Sequence, residues 1–171
     1  MNSTLVLLLS GFVFLSTNLG LNMGDKPDSE LKWTSFTQGV KEAEATNKKV
    51  LVDVFTDWCS LCKKMDSDTY THPRVKDYLS KNYVLVKLNA ESDAKETLDT
   101  TKVTDAQLAS AFGVNGYPTT IFLESTGHPI TMAPGFMKPD EFLHVLKYIG
   151  DDVYKRMEFK DYLKSLGVPA K

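Results

Sequence analysis

The chain has 171 residues, which is enough for one domain with a substantial core but short for two. Its 42% hydrophobic and 25% charged residues are an ordinary balance for a globular protein. A formal net charge of −2, with Lys and Arg spread among the acidic residues, gives no indication of nucleic-acid binding.

The first 24 residues carry no charged side chain and contain the apolar run Leu5–Leu15. That run is shorter than the roughly 20 apolar residues that a membrane span needs, and polar residues follow it at positions 16–18. The pattern is typical of a secretory signal peptide. We therefore predict that residues 1–24 are an export signal or an N-terminal membrane anchor, in preference to a buried core segment, and that the protein is periplasmic or otherwise exported.

The first predicted elements are a short edge segment and a helix within residues 31–49, where Ser35 and Gln38 have the spacing of a capping box. Val50–Phe55 is apolar at nearly every position and rich in β-branched residues, which predicts a strand that is covered on both faces. A helix is expected to follow over residues 59–69.

A further helical segment is predicted after Pro73, followed by a strand over Tyr83–Leu88. The polar segment Ala90–Val103 is predicted to be a surface loop or a frayed helix. Thr104 then begins a helix that ends near Gly113, and the start of this helix has a second capping-box pattern.

The last predicted elements are a strand over Thr119–Leu123, a turn with a partner strand over Pro129–Met132, and a helix over Pro139–Tyr148. An amphipathic helix is predicted for the tail, Tyr154–Leu166. A strand–helix–strand unit followed by a hairpin and a helix predicts an α/β fold with a mixed sheet, in which a right-handed crossover joins a parallel pair.

Both cysteines, Cys59 and Cys62, lie in one C-x-x-C pair directly after a predicted strand. A structural zinc site needs about four ligands, and the histidines show no paired spacing that would complete one: they are His72, His128 and His144. A structural disulfide between the two cysteines would close a loop too short to add much stability. Redox exchange is the third use, and the position of the pair after an apolar strand favours it.

The start of a helix is a favourable place for a reactive cysteine. Unsatisfied backbone N–H groups and the helix dipole stabilise a thiolate there, so Cys59 is expected to be exposed and nucleophilic. Cys62 lies one turn later, is expected to point into the protein, and is close enough to resolve a mixed disulfide.

Asp53 is an acid inside an otherwise apolar strand, and such a group is costly unless it is paired or neutral. Burial would raise its pKa and make it a possible proton acceptor beneath the cysteine pair. The alternative, that Asp53 faces solvent by strand alternation, is disfavoured because both of its neighbours are valine. Pro118, just before another strand, is either a simple turn residue or a cis proline.

Several motifs stand in one order along the chain: residues 52–63 around the cysteine pair, Lys87, Gly116–Thr119, and Gly135-Phe136 before a terminal helix. Over about residues 33–149 the chain resembles the thioredoxin-like family. The resemblance is closest to exported members, namely the carboxy-terminal thioredoxin domain of the transmembrane thiol:disulfide interchange protein and periplasmic thioredoxins linked to cytochrome c maturation or sulfur oxidation.

The resemblance implies a thioredoxin fold, with a mixed central sheet flanked by helices, for residues 25–150. Residues 151–171 would then be a C-terminal helical extension that caps the core or forms a partner surface.

The resemblance also implies a role for each matching residue. Cys59 would be the nucleophile and Cys62 the resolving thiol. Asp53 would be the buried carboxylate that takes and returns the proton of Cys62, with Lys87 tuning it.

The substrate-binding residues implied in the same way are Trp58, Tyr117 and Pro118. Trp58 would cover the disulfide, and a cis Pro118 would lie against the sulfurs and exclude metal. Tyr117 would offer its backbone to an extended substrate segment. Acidic residues near the motif are expected on a solvated face: Asp57, Asp66 and Asp68.

The implied function is an exported thiol:disulfide oxidoreductase without a further cofactor, which acts mainly as a reductase of disulfide-bearing proteins. A membrane thiol:disulfide interchange protein would donate its electrons, because the exported bacterial compartment is otherwise kept oxidising; we expect a monomer. Thioredoxins proper carry Gly-Pro between the cysteines, whereas Ser60 and Leu61 stand here, which leaves the redox direction open. The alternatives are a disulfide oxidase or isomerase, and a non-catalytic metal-binding module.

Overall fold

The computed structural model describes residues 30–98 and 100–168. In this part of the chain the strands are β1 (Trp33–Thr34), β2 (Lys49–Phe55), β3 (Tyr83–Asn89), β4 (Lys95–Leu98), β5 (Thr101–Thr104), β6 (Thr119–Leu123) and β7 (Pro129–Pro134). The α-helices are α1 (Phe36–Thr46), α2 (Ser60–Lys64), α3 (Pro73–Asn82), α4 (Asp105–Ala111), α5 (Pro139–Gly150) and α6 (Phe159–Ser165). A π-helical turn, Met65–Tyr70, continues α2, and a 3₁₀ turn, Val153–Lys155, precedes α6.

The central sheet has five strands in the order β1-β3-β2-β6-β7. Strands β1, β3 and β2 are parallel, whereas β6 runs antiparallel to β2 and β7 antiparallel to β6. The α/β thioredoxin fold with a mixed central sheet is therefore confirmed. Within this register Asp53 of β2 lies opposite Lys87 of β3 on one side and Thr120 of β6 on the other.

Helices cover both faces of the sheet, which explains why β2 is buried over residues 50–54. The valines of β2 pack in the cluster that includes Phe36 of α1 and Leu108 of α4. Leu51 faces the other way, toward Leu79 of α3 and Phe142 of α5. Because side chains alternate along a strand, Asp53 shares the face of Leu51. Burying one such apolar side chain stabilises the fold by about 1.5–3 kcal/mol.

The two predicted capping boxes have different outcomes. At α4 the full box forms, with Thr104 and Gln107 each capping the other's backbone N–H. At α1 the Ser35 hydroxyl accepts the Gln38 N–H at 3.5 Å, but the Gln38 side chain accepts the Thr34 hydroxyl instead. Only half of the first box is therefore present.

The prediction of a loop or frayed helix over Ala90–Val103 was wrong, because this segment contains the antiparallel hairpin β4–β5. Tertiary contacts stabilise it. Glu96 of β4 is buried and accepts the backbone N–H groups of Phe36 and Thr37, the first residues of α1. A polar composition indicated solvent exposure, but here a carboxylate caps the start of a distant helix.

The C-terminal tail is not the single helix predicted over residues 154–166, because a 3₁₀ turn and α6 share it. The Tyr148 ring of α5 packs 5.0 Å from Phe159 and 5.5 Å from Tyr162, measured between centroids. The Tyr148 hydroxyl also donates to the Met157 carbonyl at 2.7 Å, between the two elements. These contacts fix the break in the tail and place α6 against α5.

The export signal predicted in residues 1–24 lies outside the described residues. Among the helices that lie within residues 30–98 and 100–168, none combines the length and hydropathy of a membrane crossing.

Candidate active site

The two cysteines lie at the start of α2, just after the turn that follows β2. Cys59 is the N-cap of α2, and its backbone N–H donates to the Thr56 carbonyl at 3.1 Å, which closes the preceding turn. Its sulfur is bonded to that of Cys62, with the two Cα atoms 5.3 Å apart, and accepts the Cys62 backbone N–H at 3.0 Å. The predicted helix-start position is thus present, and the two sulfurs are close enough to join.

The expectation that Cys59 is exposed was wrong for this disulfide-bonded state. Cys59 is only 4% exposed, because its side chain folds back on the first turn of α2 to meet Cys62. Cys62 is buried, as predicted. The neighbouring apolar side chains are the exposed ones, with Trp58 at 66% and Leu61 at 47%. An approaching partner therefore meets Trp58 and Leu61 before it meets sulfur.

Asp53 is buried, at 1% exposure, so the solvent-facing alternative is excluded. Its Oδ2 atom lies 2.5 Å from Lys87 Nζ, which lies at the same distance from Asp66 Oδ1. Burial raises the pKa of Asp53, and the positive charge and hydrogen bond of Lys87 lower it by less. The negative charge of Asp66 adds to the elevation of that pKa.

Lys87 is held by aromatic rings as well as by carboxylates. Its Nζ atom lies 4.8 Å from the ring centroid of Trp33, 5.1 Å from Phe55 and 5.5 Å from Tyr70. Ammonium groups are attracted to aromatic faces at such distances. The sequence-predicted pair Asp53 and Lys87 is thus brought together at the centre of the sheet.

Two site residues were missed in the sequence, Asp66 and Tyr70, and both lie on the π-helical turn. Asp66 is exposed, as expected, but it also pairs with Lys87 and so belongs to the site. Its position four residues after Cys62, on the same helical face, was a usable signal. Asp68 is also exposed, as expected, and pairs with Lys64 at 2.5 Å.

Tyr117 and Pro118 flank the site from the loop before β6. The peptide bond between them is cis, as the resemblance implies. The Tyr117 ring meets the Trp58 ring edge to face, with centroids 5.9 Å apart. The Trp58 indole N–H also donates to Glu91 at 2.9 Å. Trp58 is therefore exposed yet fixed from two sides.

Within residues 30–98 and 100–168, no group of three or more His, Cys, Asp and Glu side chains is arranged to hold a metal ion. The thiol groups that a metal would need are joined to each other in the disulfide.

Solved structures with the same fold include a thioredoxin-fold protein from Helicobacter pylori, with a TM-score of 0.61 and 24% identity, covering 80% of this chain and 89% of that one. A thioredoxin from Thermus thermophilus has a TM-score of 0.57 and 22% identity, covering 70% and 86%. A putative disulphide-isomerase from Bacteroides thetaiotaomicron has a TM-score of 0.55 and 28% identity, covering 70% and 90%.

Curated relatives include the thiol:disulfide interchange protein DsbD of Haemophilus ducreyi, 32% identical over 115 residues, which are 66% of this chain and 18% of that protein. The DsbD protein of Escherichia coli strain K12 is 31% identical over 101 residues, which are 58% and 16%. The chain thus spans less than a fifth of the length of these relatives. A family model described as a thioredoxin-like domain matches residues 36–150. The chain belongs to the thioredoxin-like family and carries a C-x-x-C pair at the start of a helix.

Proposed function

We propose that this chain is an exported thiol:disulfide oxidoreductase that works mainly as a reductase of protein disulfides. One observation carries the proposal: Cys59 and Cys62 are joined at the start of α2, with an acid, Asp53, buried in the strand that leads into them. Dithiol exchange requires two sulfurs within bonding distance and a proton acceptor, and in this proposal Asp53 is that acceptor.

The reaction begins from the reduced pair. The Cys59 thiolate attacks one sulfur of the substrate disulfide, forms a mixed disulfide and releases the first substrate thiolate. Cys62 then loses its proton to Asp53, and its thiolate attacks the Cys59 sulfur, which releases the second substrate thiolate. Two electrons pass to the substrate, and the Cys59–Cys62 disulfide of the described structure is the product.

The Cys62 N–H group that contacts the Cys59 sulfur supports the first step. A backbone donor at 3.0 Å stabilises negative charge on that sulfur, as the start of a helix does in general. The raised pKa of Asp53 supports the second step, because a carboxyl group that titrates above its usual range is a better proton acceptor near neutral pH.

The surface around the disulfide supports contact with a protein substrate. Trp58 and Leu61 supply exposed apolar area, and the backbone at Tyr117 can pair with an extended segment. Such pairing needs little from the substrate sequence. Cysteine pairs that must be reduced before haem attachment, as in cytochrome c maturation, are one exported substrate class of this kind.

The apolar segment Leu5–Leu15 supports an exported, periplasmic location, either free or tethered by that segment. Because that compartment is kept oxidising, a reductase there needs an electron source. We propose a membrane thiol:disulfide interchange protein as this donor, and the curated relatives of the chain are named thiol:disulfide interchange proteins.

Insulin-disulfide reduction tests the activity. We expect turnover in the native protein and in Ser60→Ala, which alters the motif without touching a sulfur, and none in Cys59→Ser. Cys62→Ser should accumulate a mixed disulfide with the substrate. Turnover that survives Cys59→Ser would disprove the dithiol mechanism.

The reduction potential of the Cys59–Cys62 pair tests the direction. A reduction potential of about −270 mV is expected for a reductase, whereas a potential of about −120 mV would identify an oxidase instead.

A further inference from the structure

Buried polar atoms without hydrogen-bond partners gather around Asp53. Within the described residues they include Asp53 Oδ1, the Tyr70 hydroxyl and Thr120 Oγ1. Asp53 and Thr120 face each other across β2 and β6. Tyr70 packs on the same side of the sheet as Leu51 and Asp53, with its ring centroid 5.5 Å from Lys87 Nζ. Most buried polar atoms in proteins are paired, so a cluster of unpaired ones beside a titrating acid requires an explanation.

The two oxygens of Asp53 have different surroundings. Oδ2 accepts a hydrogen bond from Lys87 Nζ at 2.5 Å, whereas Oδ1 is buried and has no hydrogen-bond partner. A buried carboxylate is stable only when its oxygens accept hydrogen bonds. Ionisation of Asp53 therefore calls for a donor on the Oδ1 side.

Tyr70 is fixed in place beside that carboxyl group. Its ring packs edge to face against Trp33, with centroids 5.1 Å apart, and against Phe142 at 5.6 Å. Lys87 Nζ, the partner of Asp53, lies over the same ring. Packing fixes the phenol oxygen, but the O–H bond still rotates and can turn its proton toward whichever neighbour accepts.

We propose that Tyr70 is a positioning residue whose hydroxyl turns onto Asp53 when the carboxyl ionises and donates the second hydrogen bond to it. This role deepens the proposed function, since it sets the pH range in which Asp53 can take the proton of Cys62.

The other titratable groups near Asp53 are Lys87 from β3 and Asp66 from the π-helical turn. Lys87 lowers the pKa of Asp53, and Asp66 raises it. The hydrogen bond that we propose from Tyr70 would favour the ionised form and would therefore also lower that pKa. Removing the hydroxyl while keeping the ring therefore raises the pKa of Asp53 further.

The test is a carbon-13 NMR titration of the aspartate carboxyl groups in the oxidised protein, with the Asp53 signal assigned by its loss in Asp53→Asn. In Tyr70→Phe we expect the Asp53 midpoint to move to higher pH. The matched control is Tyr83→Phe: Tyr83 is equally buried, but its hydroxyl donates to the Leu146 carbonyl at 2.8 Å. This control should leave the midpoint unchanged.

An unchanged or lowered midpoint in Tyr70→Phe, or an equal shift in Tyr83→Phe, would overturn the proposal. A measurement on the native protein keeps the test valid even if Tyr70→Phe does not fold. In the native protein, the chemical shift of the Tyr70 phenol carbon should change with the same pH midpoint as Asp53, whereas that of Tyr83 should not. A Tyr70 chemical shift that does not change around this midpoint would also overturn the proposal. None of these titrations requires turnover, so a protein that shows the shift but does not reduce insulin would contradict only the proposed function.

Discussion

Replacing Asp53 by Asn should stabilise the oxidised protein, and the gain should grow with pH. In the folded chain burial raises the pKa of Asp53 above the value of about 3.9 that it has in an unfolded chain. Between these two pKa values the folded state binds more protons than the unfolded state, so the native protein loses stability as the pH rises. Below the unfolded pKa both states are protonated and this penalty is absent. The Asn side chain does not titrate, so the variant avoids this penalty at every pH.

The size of the gain follows from the surroundings of the carboxylate. Above the folded pKa the penalty levels off, and its size is about 1.4 kcal/mol for each pH unit that separates the raised folded pKa of Asp53 from its unfolded pKa. Lys87 loses one partner in the variant but keeps Asp66 at 2.5 Å and its aromatic neighbours, which limits the offsetting loss.

Urea unfolding of the oxidised protein, followed by circular dichroism from pH 4 to pH 8, measures the effect. We expect the free energy of unfolding of Asp53→Asn minus that of the native protein to rise with pH and then level off. Asp161→Asn, at an exposed position of α6, is the control and should show no such rise. A difference that is flat across this range, or that falls with pH, would refute the reasoning.

Three further predictions concern the surroundings of the site. Glu91→Ala removes the acceptor of the Trp58 indole N–H, so we expect the NMR signal of that N–H group to shift. We also expect kcat/KM for insulin reduction to fall two- to fivefold, the equivalent of about 0.5–1 kcal/mol. An indole N–H signal that does not shift would contradict this prediction. Asp66→Asn removes a charge that raises the pKa of Asp53, so the carboxyl titration should move to lower pH, and any upward shift would be inconsistent with the ion-pair geometry. Glu96→Gln weakens the cap on α1 and should lower the free energy of unfolding by about 1 kcal/mol in urea titrations, whereas an unchanged midpoint would mean that the cap adds nothing.

The reactive pair and its carboxylate were predictable because their signals are local. An apolar strand that ends in a turn places Cys59 at the start of a helix, and the chain needs no distant contact to achieve this. Asp53 was predictable because valines on both sides show that its strand is covered on both faces. The cis Pro118 followed from the family resemblance, since residue type alone left two conformations open.

Asp66 and Tyr70 could not be predicted with the same security, because their positions depend on how the helix winds. The sequence predicted one helix over residues 59–69, but the structure has a π-helical turn over Met65–Tyr70. Wider winding changes the direction of every side chain in the turn. Here Asp66 reaches Lys87 and Tyr70 reaches the Asp53 face of the sheet. The burial of Cys59 was missed for a related reason, since it depends on the sulfur–sulfur bond as well as on the helix start.

The segment from Ala90 to Val103 shows how a misread polar stretch can contribute to a site. Its acids suggested solvation, yet Glu96 anchors its hairpin to the start of α1, and Glu91 at its beginning binds Trp58. Asn89 accepts the Glu91 backbone N–H at 3.0 Å and donates to Asp57 at 3.3 Å, so the two loops that flank the disulfide are tied together. Because the exposed Trp58 side chain donates its indole N–H to Glu91, its orientation depends on a segment that a minimal strand–helix interpretation leaves out. Substitutions in the segment Ala90–Val103 should therefore affect substrate binding more than they affect the chemistry of the cysteine pair.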